Sequence, residues 1–227
     1  MPAFDLFTIG HSNIPSERFI ALLRGAGVDA IADVRSIPAS RFCPWFSAKN
    51  LAPLLAGANM DYVFFGDALG GRPRDLSLYC DGVADYGAMA QRPGFRADLD
   101  RLLTMAWHRR LCLMCSERDP LDCHRCLLVA RALAARGVSV GHILHDGEIE
   151  SHSATERRLL KAAGESGNLF VTGQEERLAA AYRRRARAIA YRLKGANKAA
   201  KKKTANKTSN KRATTINKKI RAKKKSH

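Results

Sequence analysis

The segment Leu111 to Leu128, LCLMCSERDPLDCHRCLL, constrains the fold more than any other stretch of the 227 residues. An apolar run from Leu111 to Met114 ends at Cys115, and an acidic turn through Asp119-Pro120 leads to Cys123-His124-Arg125. Apolar residues at helical spacing then open at Leu127. This reads as a strand, a polar loop and a helix start. Open α/β sheets place their chemistry at the carboxyl ends of strands. The N-terminus of the next helix offers free N–H groups to an anion.

The same alternation recurs along the chain. Phe4 to Gly10 reads as a buried first strand, and Pro15-Ser16-Glu17 opens an amphipathic helix carrying Phe19, Ile20, Leu22 and Leu23. Further strands are expected at Val28 to Val34, Asp61 to Phe65, Leu111 to Cys115 and Val138 to Leu144. Helices are expected near Ser47 to Ala56, Ala84 to Gln91, Phe95 to Trp107, Cys123 to Arg136 and Glu175 to Leu193. Strands alternating with helices imply a single α/β domain with a mostly parallel sheet covered by helices on both faces. The expected divisions are an α/β domain over 1–174, a basic helical extension over 175–193 and a disordered Lys-rich tail over 194–227.

Charge divides the chain in the same place. Residues 194–227 hold 14 Lys or Arg and no acidic residue, leaving 25 basic against 21 acidic residues in 1–193. Most of the net charge of +18 therefore sits in the tail. Its Lys, Ala, Thr and Asn offer too little apolar surface to offset ordering entropy, so it is expected to be disordered and to bind DNA or RNA electrostatically, without reading sequence. The body is long enough for one domain burying roughly 70% of its unfolded surface. Met1-Pro2-Ala3-Phe4-Asp5 has no basic leader, and no apolar run approaches the ~20 residues of a membrane span. Six Cys without an export signal read as reduced thiols. The expected location is cytoplasmic, with nucleoid association through the tail.

Two C-x-x-C pairs, Cys112/Cys115 and Cys123/Cys126, invite a zinc reading that their spacing opposes. Only seven residues separate the pairs, fewer than zinc ribbons usually place there. Residues three apart on a strand also point to opposite faces, so Cys112 and Cys115 cannot easily share a metal. No metal and no cofactor are expected. Cys112 reads as a small core residue. Cys115, at a strand end beside Glu117 and facing a helix start with Arg125, reads as a nucleophile or equally as a packed thiol.

Asp33 and Arg35, two apart at a strand end, project to the same side. With parallel strands, three strand ends deliver His11, Asp33 with Arg35, and Cys115 with Glu117 to one rim, with Arg41 in the following loop. Arg35, Arg41 and Arg125, with a helix N-terminus, suit a phosphate. His124 fits a phosphate contact, an acid–base role or a local cap. Asp119-Pro120 is first an N-cap signal, His142 a core histidine, and Gly70-Gly71 a turn marker.

Several blocks together resemble a known family. Thr8-Ile9-Gly10-His11-Ser12-Asn13, Asp33-Val34-Arg35-Ser36-Ile37-Pro38 with Ser40-Arg41, Leu69-Gly70-Gly71-Arg72, Leu113 to Glu117 through Cys123-His124-Arg125, and Val140-Gly141-His142-Ile143 resemble domain-of-unknown-function family 488 over about residues 4–146. The resemblance implies a compact α/β domain with a shared site at His11, Asp33, Arg35, Arg41, Cys115, Glu117, Cys123, His124 and Arg125. It implies no reaction.

The leading expectation is an enzyme for a phosphate-bearing substrate, a nucleotide or nucleic acid. In it Arg35, Arg41, Cys123, His124 and Arg125 contact substrate and His11 orients it, while Cys115, Glu117 and Asp33 act as nucleophile and acid–base groups. The alternatives are a thiol enzyme of sulfur-transfer or redox type using Cys115 and Cys123, and a non-enzymatic DNA- or RNA-associated protein whose tail carries the function.

Overall fold

The computed structural model describes residues 4–164 and 173–194. The chain begins in the middle of its sheet with β1 (Leu6–Gly10), buried at every position. Helix α1 (Ser16–Gly25) leads to β2 (Ala30–Asp33), and α2 (Ala48–Ala56) leads to β3 (Asp61–Phe64). A short α3 (Gly66–Leu69) is followed by a two-stranded hairpin, β4 (Tyr79–Cys80) and β5 (Val83–Ala84). Helices α4 (Tyr86–Ala90) and α5 (Pro93–His108) return the chain to β6 (Leu111–Cys115). A π-helical turn (Arg125–Ala130) runs into α6 (Arg131–Ala134) and then β7 (Val140–Ile143). Last come β8 (Ile149–Ser151), α7 (His152–Ala162) and α8 (Gln174–Ile189).

The main sheet has the order β3-β2-β6-β1-β7-β8. Every pairing is parallel except β7 with β8. Period-2 alternation sends the two faces of each strand into separate cores. Phe7, Ile9, Ile31, Cys112 and Met114 pack under α1 and α2, against Phe19, Leu23, Leu51 and Leu55. Leu6, Ala30, Ala32, Leu111, Leu113 and Cys115 face the other way, onto α5, the π-turn, α7 and α8. The fold is the expected α/β class, with a mostly parallel sheet covered on both faces.

Chain direction creates a crevice. After β1 and β2 the chain crosses to the α1/α2 face, whereas after β6, which lies between them, it crosses to the opposite face. Loops therefore splay apart at the carboxyl ends of β2, β6 and β1, the position where open α/β sheets bind ligands.

Three local expectations differ from the structure. The helix expected over Cys123 to Arg136 opens as the π-turn, whose residues are all buried; an α-helical turn suits burial of one stripe, whereas this turn is enclosed all round. Between Gly70-Gly71 and the helix expected from Ala84, where no strand is expected, the structure has the hairpin β4–β5, whose strands of two residues are too short to show alternation. The antiparallel β8 and α7 carry no expected counterpart. Helix α8 contributes Ala181 and Tyr182 to the core of the body. The expected tail lies, from Gly195 on, outside the described residues. Among the described residues no helix is long and apolar enough to cross a membrane.

Candidate functional site

Arg35 is the organising residue of the crevice. It follows β2 by two residues, is only 4% exposed, and is clasped by Asp33, which is fully buried. Arg35 Nε donates to Asp33 Oδ1 at 2.9 Å and Nη2 donates to Oδ2 at 2.6 Å. Tyr62, from the neighbouring β3, donates its hydroxyl to Asp33 Oδ2 at 2.7 Å. Burial raises the Tyr62 hydroxyl above its usual range, with the Asp33 charge adding to it, so the phenol stays protonated as donor.

His11 holds the guanidinium from the other side. Its Nδ1 lies 2.8 Å from the Ser12 carbonyl oxygen, which can only accept, so Nδ1 carries the proton. Nε2 is then the acceptor for Arg35 Nη1 at 3.2 Å. Burial lowers the imidazole to about 4, with the Ser12 bond opposing and Arg35 reinforcing, so His11 is neutral at physiological pH. The ring stacks on Phe46, centroids 4.2 Å apart. Of the five guanidinium N–H groups, three are spent on Asp33 and His11, and two have no partner among the described residues.

The second group gathers where β6 ends. Glu117 Oε2 accepts from both Cys115 Sγ (3.1 Å) and Cys123 Sγ (3.0 Å). His124 Nδ1 lies 3.7 Å from Cys115 Sγ and 3.9 Å from Cys123 Sγ. Its Nε2 donates to the Val34 carbonyl at 2.8 Å. Burial drives the Cys115 thiol well above its usual range, with Cys123 and Glu117 adding to the shift. Burial also opposes ionisation of Cys123, but the neighbouring Cys115 thiol and the charges of Arg125 and His124 outweigh it and hold that thiol low. Glu117 is raised, by burial of its carboxylate and by Cys123.

A cavity of about 300 Å³ joins the two groups. Arg35, Ser36, Arg72, Tyr86, Cys115, Glu117 and His124 are among its lining residues. Of the expected site residues, Arg35, Cys115, Glu117 and His124 thus share one cavity, with Cys123 bonded to its floor and Asp33 and His11 behind Arg35. Two differ from expectation. Arg41 is exposed, its guanidinium 5.4 Å from the Phe42 ring centroid; the turn that bonds Ser40 to Ser47 carries it away from the cavity. Arg125 is fully buried and spends its Nη groups on the Glu117 and Arg118 carbonyls at 2.6 and 3.0 Å, so it braces the loop and is not among the residues lining the cavity.

The glycine pair is more than a turn. A Cβ on Gly71 would lie 2.8 Å from His124 Cγ, and one on Gly70 would lie 2.3 Å from Ser36 Oγ. The backbone there must press against the site. Arg72, next in line, donates its amide to Ser36 Oγ at 2.8 Å and places its guanidinium 4.9 Å from the Tyr191 ring centroid. Arg72, Tyr62 and Tyr86 were not among the expected site residues. Arg72 stands in the Leu69-Gly70-Gly71-Arg72 block, which is the signal that could have found it; the two tyrosines carry none without the sheet register.

Fold and crevice define an open α/β protein with a polar pocket at a point where the chain changes face. A family model described as "Domain of unknown function DUF488" matches residues 15–132, more than half of the chain, and the protein belongs to that family. No curated protein and no solved structure matches it.

Proposed function

We propose that this protein is an enzyme acting on a phosphate-bearing substrate, a nucleotide or nucleic acid, bound in the cavity at the ends of β2 and β6. The observation that carries this reading is Arg35: a nearly buried guanidinium, fixed by Asp33 and His11, that lines the cavity with two N–H donors unspent. Arginine with a preset fork suits phosphate oxygens. Arg72 supplies a second cation to the same cavity. Asp33 and His11 are positioning residues in this scheme, because neither lines the cavity. The reacting end of the substrate faces Cys115, Glu117 and His124. Residues 194–227, with 14 cations and no acid, add non-specific attraction to nucleic acid.

A thermal-shift series tests the pocket. Full-length protein is expected to be stabilised by some member of a panel of mononucleotides, sugar phosphates and short oligonucleotides, and Arg35→Ala is expected to abolish that shift. A panel without effect, or a shift that survives in Arg35→Ala, overturns the reading.

A second reading rests on the contact both Cys115 and Cys123 make with Glu117. In it the two thiols pass two electrons and two protons to a disulfide substrate, which leaves as two thiols while a Cys115–Cys123 disulfide forms.

A further inference from the structure

We propose that Cys115, Glu117, Cys123 and His124 form a four-donor site for a thiophilic divalent metal ion, zinc foremost. Their donor atoms, two Sγ, one carboxylate oxygen and one imidazole nitrogen, all lie within 4.8 Å of one another. Zinc–ligand bonds of about 2.0–2.3 Å in a tetrahedron require donor–donor edges of roughly 3.3–3.8 Å. The sulfur–oxygen edges here are 3.0 and 3.1 Å, and the sulfur–nitrogen edges 3.7 and 3.9 Å. On these four edges, shifts of a few tenths of an ångström reach the tetrahedral values, and the remaining two lie within 4.8 Å.

The surroundings match such a centre. Because the Val34 carbonyl accepts from His124 Nε2, the ring turns Nδ1 toward the two sulfurs, and that nitrogen gives up its proton when it binds a metal. That backbone bond is the outer support that metal-ligating histidines usually have. The Arg125 amide N–H points at Cys123 Sγ at 3.5 Å, a donor for a thiolate.

Arg125 gives a separate argument from charge. Its guanidinium is fully buried, bonds only to carbonyl oxygens among the described residues, and leaves Nε without a partner. A buried cation needs compensating negative charge nearby. Two thiolates and a carboxylate around a divalent ion carry a net charge of −1, which balances it. The donor mix of sulfur, imidazole and carboxylate selects zinc over magnesium or calcium. Cys112 lies under the opposite face of the sheet and takes no part. The mixed set also differs from the four-cysteine arrangement that sequence spacing opposes.

The site goes beyond the phosphate reading and does not depend on it. Full-length protein purified without chelator is expected to hold one equivalent of zinc by elemental analysis. Replacement by Co²⁺ is expected to give the intense thiolate-to-cobalt band in the near ultraviolet, with the visible bands of tetrahedral cobalt. That band should weaken in Cys115→Ser and in Cys123→Ser and persist in Cys126→Ser. A wild-type measurement avoids dependence on those variants folding: alkylation read by mass spectrometry should spare Cys115 and Cys123 until a chelator is added. Protein that neither retains zinc nor yields the cobalt band overturns the proposal. So does a Cys115–Cys123 disulfide in the natively purified chain, which favours dithiol exchange. Arg35→Ala should keep the cobalt spectrum while losing phosphate-ligand stabilisation, so the two readings fail separately.

Discussion

Asp33 and Arg35 show how much a single residue can hold at this site. The carboxylate is fully buried and accepts from two guanidinium nitrogens, the Arg35 amide and the Tyr62 hydroxyl. Asp33→Asn keeps the volume and removes the charge, leaving a buried cation uncompensated. The expected loss is about 3–5 kcal/mol in urea unfolding, with loss of any phosphate-ligand stabilisation. Tyr62→Phe removes one bond from the same carboxylate and should cost about 1 kcal/mol. A second test at this scale is Gly71→Ala, whose new methyl would press on His124. The expected cost is about 1–3 kcal/mol, and the cobalt spectrum should shift because the imidazole moves. If both stability and spectrum match the wild type, the close packing of Gly71 on the ring is refuted.

Elements were legible to different degrees, for physical reasons. Long apolar runs at parallel-strand positions announced β1, β2, β6 and β7, and their shared direction put His11, Asp33, Arg35, Cys115 and Glu117 near one rim. Arg125 stands beside a helix start, as the sequence places it, but its long side chain turns inward to two loop carbonyls. Arg41 lies outside the cavity lining because proximity in sequence to Arg35 does not survive the turn at Ser40 to Ser47. The role of Tyr62 depends on β3 pairing with β2, in register Ile31 with Tyr62, and no local pattern encodes that. The loop between β6 and the π-turn is also fixed by an element far along the chain. Asp119 Oδ1 caps the turn through the Leu121 amide at 2.8 Å, and α7 sends Arg158 to both Asp119 oxygens, at 2.8 and 3.0 Å. Asp119→Ala removes the cap and its partner together. It should lower stability by about 1–2 kcal/mol and loosen Cys123, measurable as faster alkylation of that thiol in the metal-free protein.

The whole molecule carries a pH dependence of its own. Tyr182 donates to Glu156 at 2.9 Å, so its oxygen accepts from His152 Nε2 at 3.0 Å. His152 Nδ1 then accepts from His142 Nε2 at 3.0 Å, and His142 Nδ1 accepts from Thr8 at 2.8 Å. Both rings are neutral in this chain of bonds. Burial lowers the two imidazoles, His152 further opposing protonation of His142. The unfolded chain takes up these protons near its ordinary value of about 6.5, before the folded chain does. Stability is therefore full above that value and falls as the pH drops below it. Urea midpoints measured from about pH 7 to pH 5 should decrease; a flat profile contradicts neutral burial of the pair. Salt reports on the basic tail: the logarithm of the full chain's nucleic-acid affinity should fall linearly with log salt, with a slope of about 0.9 per phosphate neutralised. Salt-insensitive binding would show recognition by other means.

One of the two central strands, β1, is made well before the strands it pairs with. β1 pairs with β6 and β7, Phe7 opposite Cys112 and Leu6 opposite Val140, so on the ribosome it waits for partners more than a hundred residues behind it. Until those emerge, its five residues, all buried in the folded protein, have no sheet to join. Folding is then late and nearly simultaneous, governed by distant contacts. Nascent chains halted before β6 should be protease-sensitive throughout and should depend on chaperones, whereas those released after β7 should close at once.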